Sequence, residues 1–128
     1  MKFINPVAIT DAMLISSTRA ENDYAAWASG TTYALAARVI STTTHRIYES
    51  VQAGNLNHNP TTDDGSWWID VGPTNRWAMF DQTVGTVTAQ ATPLTVVLAP
   101  GAITALALLD LEGADVTVTM TDTPGDRK

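Results

Sequence analysis

The chain has 128 residues, a formal net charge of −6 and no cysteine, and 45% of its residues are hydrophobic. This length suits one ordinary domain or two very small ones. An acidic chain with no run of Lys or Arg lacks the basic patch that nucleic acid or an anionic membrane surface would bind, so we expect neither as a partner. Without cysteine there is no disulfide framework and no thiolate zinc site.

Residues 1–24 are predicted to form an extended N-terminal arm, in which Thr10 and Asp11 can cap a single turn before Leu14. Pro6 and Asp11 interrupt the apolar residues before they reach the length of a signal-peptide core, so we expect synthesis in the cytoplasm without a signal peptide. No apolar run is long enough to insert into a membrane. Two hypotheses stay open for the arm: it packs on its own domain, or it docks on a neighbouring subunit.

Residues 25–72 are predicted to form a small aromatic-rich β-domain of three strands. All four tryptophans and both histidines fall between positions 27 and 77. Such a meander is marginal alone and depends on the burial of its rings. The predicted elements are strands over 37–41 and 45–51 with a turn at 42–44, a loop over 54–65, and a strand over 67–71.

Two adjacent tryptophans begin the third predicted strand. Neighbouring side chains of a strand point to opposite faces, so one of Trp67 and Trp68 should enter the core, with Trp27 and Tyr48, while the other faces outward. The outward ring is either a platform for a sugar or covered by another part of the chain or by a neighbouring subunit, and cover is the favoured hypothesis. Trp67, Trp68 and Tyr33 are therefore the candidate carbohydrate-binding residues.

Residues 73–128 are predicted to form a partial antiparallel β-sandwich. Apolar and β-branched runs over 94–98, 103–109 and 116–121 are separated by turn residues. Residues 102–111 also have helical propensity, but the flanking Pro-Gly and Gly favour a strand. These strands are too few to close a two-sheet sandwich. Either the chain is a fragment of a longer protein, or its open edge and face are buried against copies of itself or a partner.

The candidate interface residues lie in this third region and at its border. Runs without alternation indicate that both faces of the strands are covered, which predicts self-association through Leu106 and Leu108. Trp77 and Phe80 straddle the border between the aromatic domain and the sandwich. They either pack between the two parts of the chain or belong to the interface.

No constellation of catalytic residues is visible. His45 and His58 are the only histidines, and no Ser or Cys nucleophile motif accompanies either. Asp63-Asp64-Gly65 lacks the alternating ligands and the closing Glu of a calcium loop, which favours a turn. We therefore expect no enzyme activity, no metal site and no cofactor.

The aromatic zone resembles the small chitin-binding modules of bacterial chitinases. The resemblance covers less than half of the chain and implies a similar small β-fold. In those modules, exposed aromatic residues after the second strand stack on sugar rings, whereas this chain has Val51-Gln-Ala53 there. The matching residues are Trp27, Tyr33, Val39, Ile47-Tyr48, Gly54, Pro60 and Trp67 or Trp68.

Four phrases of the sequence carry a resemblance that extends over more of the chain: Ile9-Thr-Asp-Ala-Met-Leu14, Trp27-Ala-Ser-Gly-Thr-Thr-Tyr33, Ile47-Tyr-Glu-Ser50 and Gly72-Pro-Thr-Asn-Arg-Trp-Ala-Met-Phe-Asp81. With these phrases, the chain as a whole resembles tail-associated proteins of tailed bacteriophages and prophages, which carry such a domain followed by a β-sandwich. The resemblance implies a structural virion protein of the tail, baseplate or fibre region, whose partners are copies of itself or other tail proteins. The alternative is a carbohydrate-binding module for host surface polysaccharide.

Overall fold

The computed structural model describes residues 5–113 and 115–121, and these residues form an all-β structure. None of their helical segments is long and apolar enough to cross a membrane. The elements are β1 (Leu14–Ser17), β2 (Thr32–Tyr33), β3 (Arg38–Ser41), β4 (Arg46–Ser50), β5 (Asn55–Leu56), β6 (Trp68–Pro73), a 3-10 turn (Ala78–Phe80) and β7 (Val96–Leu98).

The predicted three-stranded meander is confirmed. Strands β3, β4 and β6 form one antiparallel sheet in that order. The loop between β3 and β4 ends at His45, whose φ of 57° lies in the left-handed region. Histidine is one of the few non-glycine residues enriched there. On the outer face, Arg38 pairs with Glu49 across β3 and β4, with 2.7 Å between Nε and Oε2, which supports the register.

The core lies on one face of this sheet. Val39, Tyr48 and Trp68 are 1%, 8% and 2% exposed and contact one another. Trp27, Tyr33 and Trp67 are partly buried against them. Trp27, Tyr48 and Trp68 agree with the predicted core, and Tyr33 was not predicted to belong to it. These side chains come from three strands and the preceding segment, so the rings join elements that are far apart in the sequence.

The buried side-chain amide of Asn55 holds the start of the segment 54–65, which the sequence predicted as a loop. Residues 55–56 form the short strand β5, which pairs with β2. Asn55 is fully buried, and its Nδ2 donates to Ser50 Oγ at 2.9 Å and to Trp67 O at 3.2 Å. Asparagine is common in turns, but here its side-chain amide donates hydrogen bonds to Ser50 and Trp67.

The N-terminal arm packs within its own chain. A turn brings the Met13 N–H to 2.9 Å from Thr10 O, as predicted, and β1 follows directly. Strand β1 pairs antiparallel with β7, and Leu14 is buried. The hypothesis that the arm packs on its own chain is therefore confirmed for the described residues.

The structure corrects the prediction of strands over 103–109 and 116–121. Of the three runs in the third region, only residues 96–98 form a strand in the part of the chain that the structure describes. A strand needs a hydrogen-bonded neighbour, and neither of the other two runs has one there. Residues 122–128 lie outside the described part of the chain.

Replacing Trp68 with alanine should remove the centre of the core. Truncation of a buried tryptophan costs about 3–5 kcal/mol of unfolding free energy, so Trp68→Ala should lower the urea midpoint strongly. Val84→Ala is the control, because Val84 is 99% exposed. Equal unfolding free energies for the two variants would contradict this core.

Candidate functional site

The turn before β6 is organised by one carboxylate. Asp63 Oδ2 accepts hydrogen bonds from the backbone N–H groups of Gly65, Trp67 and Trp68, at 2.9, 3.1 and 3.0 Å. The side chain of Asp64 is bonded to Ser66, and this lowers the pKa of Asp64. The Asp63 carboxylate thus serves the turn that the sequence predicted, and no group of three potential metal ligands occurs among the described residues.

The two tryptophans have separate environments. Trp68 lies in the core, and its indole N–H donates to His58 O at 2.8 Å. Trp67 is half-buried, and the His58 ring stacks on it with centroids 3.9 Å apart and planes at 10°. Trp68 enters the core, as predicted for one of the two rings, whereas Trp67 is partly buried and packs against the same core. The assignment of Trp68 as a sugar platform is corrected, since a ring 2% exposed has no face for a ligand.

Tyr33 supports the core with its ring edge. Its ring meets Trp68 at 5.1 Å between centroids and 69° between planes, and its hydroxyl accepts the Ala28 N–H at 2.8 Å. Trp67 lies beside the polar loop over 57–62 and, like Tyr33, is partly buried against the core.

A polar cluster around His45 joins the arm to the aromatic domain. His45 Nδ1 lies 3.0 Å from Glu21 Oε1, and Nε2 lies 2.8 Å from Asp11 Oδ1, although without hydrogen-bond alignment. The imidazole also stacks on Trp77, with centroids 3.9 Å apart and planes at 19°. His45, at the start of the second predicted strand, is therefore half-buried between two carboxylates and an indole.

The same cluster reaches the segment after β6. Thr74 is fully buried; its hydroxyl donates to Glu21 Oε1 at 3.0 Å and its N–H donates to His45 O at 2.8 Å. Asp23 accepts the Asn75 N–H at 3.0 Å. Glu21 and Thr74 are 53 positions apart, so no local pattern could have revealed this cluster.

The side chains of this cluster connect the N-terminal arm to the aromatic domain. A nucleophilic triad needs a hydroxyl or thiol hydrogen-bonded to the imidazole. Here the Thr74 hydroxyl is bonded to Glu21, and both ring nitrogens of His45 face carboxylates. A shallow cleft of about 310 Å³ beside the cluster also contains Arg46, whose hydrogen bond to Asp70 raises the pKa of the guanidinium.

The four predicted interface residues fall into two pairs. Trp77 is 8% exposed and meets Phe80 edge-to-face at 5.7 Å, so these two rings pack within the chain, as the packing hypothesis held. Leu106 and Leu108 are 54% and 46% exposed. They belong to a larger set of exposed apolar side chains in the same region: Leu106, Leu108, Leu109, Leu111, Val116, Val118 and Met120.

Comparison with known proteins gives no match: no family model, no curated protein and no solved structure is significantly similar to this chain.

Two glutamates allow a matched test of the cluster. Glu21 is shielded and bonded to His45 and Thr74, whereas Glu49 forms an ion pair on the open face of the sheet. Glu21→Ala should lower the unfolding free energy by about 1.5–3 kcal/mol, the usual range for a hydrogen bond to a charged group. Glu49→Ala should cost about 1 kcal/mol or less. Urea denaturation of both variants measures the difference, and equal costs would contradict the tethering role of Glu21.

Proposed function

We propose that this protein is a structural component of a phage tail, in the baseplate or fibre region, that acts by protein–protein assembly. The observation that carries the proposal is the exposed apolar set in the third region, whose members are 46–82% exposed. Soluble monomers rarely expose large apolar patches, and such patches mark protein interfaces. The resemblance of the chain's phrases to tail-associated proteins supplies the biological setting.

The distribution of packing supports the same proposal. The aromatic domain has a core, and the arm is joined to it through His45 and Glu21. Unpaired apolar residues, in contrast, are concentrated after position 100. A subunit with one well-packed end and one apolar, unpaired end gains stability when a partner covers the second end. The proposed partners are copies of this chain or other tail proteins.

The virion assignment has a direct chemical test. Trypsin cleaves after Arg46 and Arg76, with no Lys or Arg between them, so residues 47–76 form one peptide that contains Trp67 and Trp68. Mass spectrometry of density-purified phage particles should detect this peptide in the particle band. The control is the particle-free lysate from the same culture. Detection only in the lysate would contradict the proposal.

A carbohydrate-binding role is the second candidate, and the stack of Trp67 on His58 favours it. The imidazole fixes one face of the indole. A ring that is already oriented loses little conformational entropy when a sugar stacks on its other face. The adjoining loop supplies polar side chains from Asn57 and Asn59.

Calorimetric titration with host surface polysaccharide tests this candidate. If Trp67 is the platform, Trp67→Ala should weaken binding about tenfold or more, since an interface tryptophan often contributes over 1 kcal/mol. Tyr24→Ala removes another exposed aromatic ring and should leave the affinity unchanged. Undetectable binding by the unaltered protein would exclude the candidate for that polysaccharide.

A further inference from the structure

Strand β7 has an unpaired edge among the described residues. Its pairing with β1 uses Thr95 O, which accepts the Thr18 N–H at 3.0 Å, and the Ala99 N–H, which donates to Met13 O at 2.8 Å. Peptide groups alternate along a strand, so Val96 and Leu98 direct their N–H and C=O groups to the opposite edge. Strands β1 and β7 form a two-stranded sheet in the described structure, and such a sheet is marginal alone. The outer edge of β7 is a template for a further strand.

The outer edge of β1 is a poorer template. The register of β1 shifts between Leu14 and Ser16, which leaves Ile15 in a bulge. A bulge interrupts the ladder and increases the twist, and proteins use this device to protect edges. The regular β7 is therefore the edge that favours strand addition.

The chain also carries a strand-like segment without a partner. Residues 116–121 alternate apolar residues with threonine, a period of two that is typical of a half-buried strand. Yet Val116, Val118 and Met120 are 57%, 52% and 71% exposed, and the segment is unpaired within the described chain. Its three apolar side chains would share one face if it joined a sheet.

The charge pattern favours a second copy as the partner. The chain has a net charge of −6, so most approaches between two copies bring like charges together. Residues 82–109, which include β7, contain no charged side chain, and neither do residues 116–121. These neutral segments can meet without repulsion, and each copy offers both an unpaired edge and an unpaired strand-like segment among its described residues.

We propose that residues 116–121 of one copy add as a strand to the outer edge of β7 in a second copy. The inference rests on the proposed function in assembly and specifies its partner and its mode. The main-chain groups of Val96 and Leu98 bond to the incoming strand, which also covers its own apolar face. Since donor and acceptor are different surfaces, the contact is heterologous and generates a ring or a filament.

Proline scanning tests the strand. Thr117→Pro and Val118→Pro each remove one N–H, and one of the two must face β7 because neighbouring residues alternate. Val84→Pro is the matched control, because Val84 is exposed and lies in the turn from Thr83 to Thr86. Analytical ultracentrifugation at micromolar concentration should show oligomers for the unaltered protein and the control. At least one of the other two variants should shift to the 13.7 kDa monomer, with tryptophan fluorescence unchanged.

Cysteine pairing tests the geometry in a chain that has no cysteine of its own. A Val97→Cys copy is mixed with a copy carrying Val116→Cys, Val118→Cys or Met120→Cys and then mildly oxidised. At least one mixture should form a disulfide-linked heterodimer at least tenfold more abundantly than a mixture with Val84→Cys.

The outcomes separate this inference from the proposed function. A monomeric unaltered protein, or oligomers that survive both Thr117→Pro and Val118→Pro, would overturn the pairing between copies while leaving assembly with another tail protein in place. A chain that carries Val97→Cys together with one of the other cysteine substitutions is a further test. If its disulfide forms only within the chain and never between copies, the pairing between copies is also overturned. Absence of the 47–76 peptide from phage particles would count against the proposed function instead.

Discussion

Burial of the Trp68 indole is the interaction on which the described structure depends. The ring contacts Val39 of β3 and Tyr48 of β4, and Tyr33 meets it edge-to-face. Its N–H donates to His58 O, so the same side chain also fixes the loop before β6. A small sheet has little other apolar area to bury, and one large ring therefore joins most of the elements of the aromatic domain.

Local patterns in the sequence predicted the elements whose contacts are local. The β3–β4 hairpin, the burial of one of the two adjacent tryptophans and the Asp63 turn all follow from spacing and residue type. The pairing of β1 with β7 and the hydrogen bond from Thr74 to Glu21 did not follow, because the partners lie more than fifty positions apart. Long-range pairing leaves no periodic signal in one sequence, so these contacts required the structure.

The third region shows that strand propensity alone is not sufficient for a strand to form. Residues 103–109 and 116–121 have the composition of strands, yet only residues 96–98 find a partner in the described chain. Propensity reports that a segment fits a pleated surface, whereas the ladder needs a second edge. Assembly is inferred from the segments that have strand propensity but no strand partner. These segments and their exposed apolar side chains stay unpaired in the described part of the chain.

Hydrogen exchange at residues 116–121, followed as a function of protein concentration, tests this account most directly. The account predicts slow amide exchange in this segment at high concentration and fast exchange on dilution, because the protecting strand belongs to another copy. Strands β3 and β4, which are paired within the chain, should stay protected at both concentrations. Fast exchange of residues 116–121 at every concentration would contradict the account.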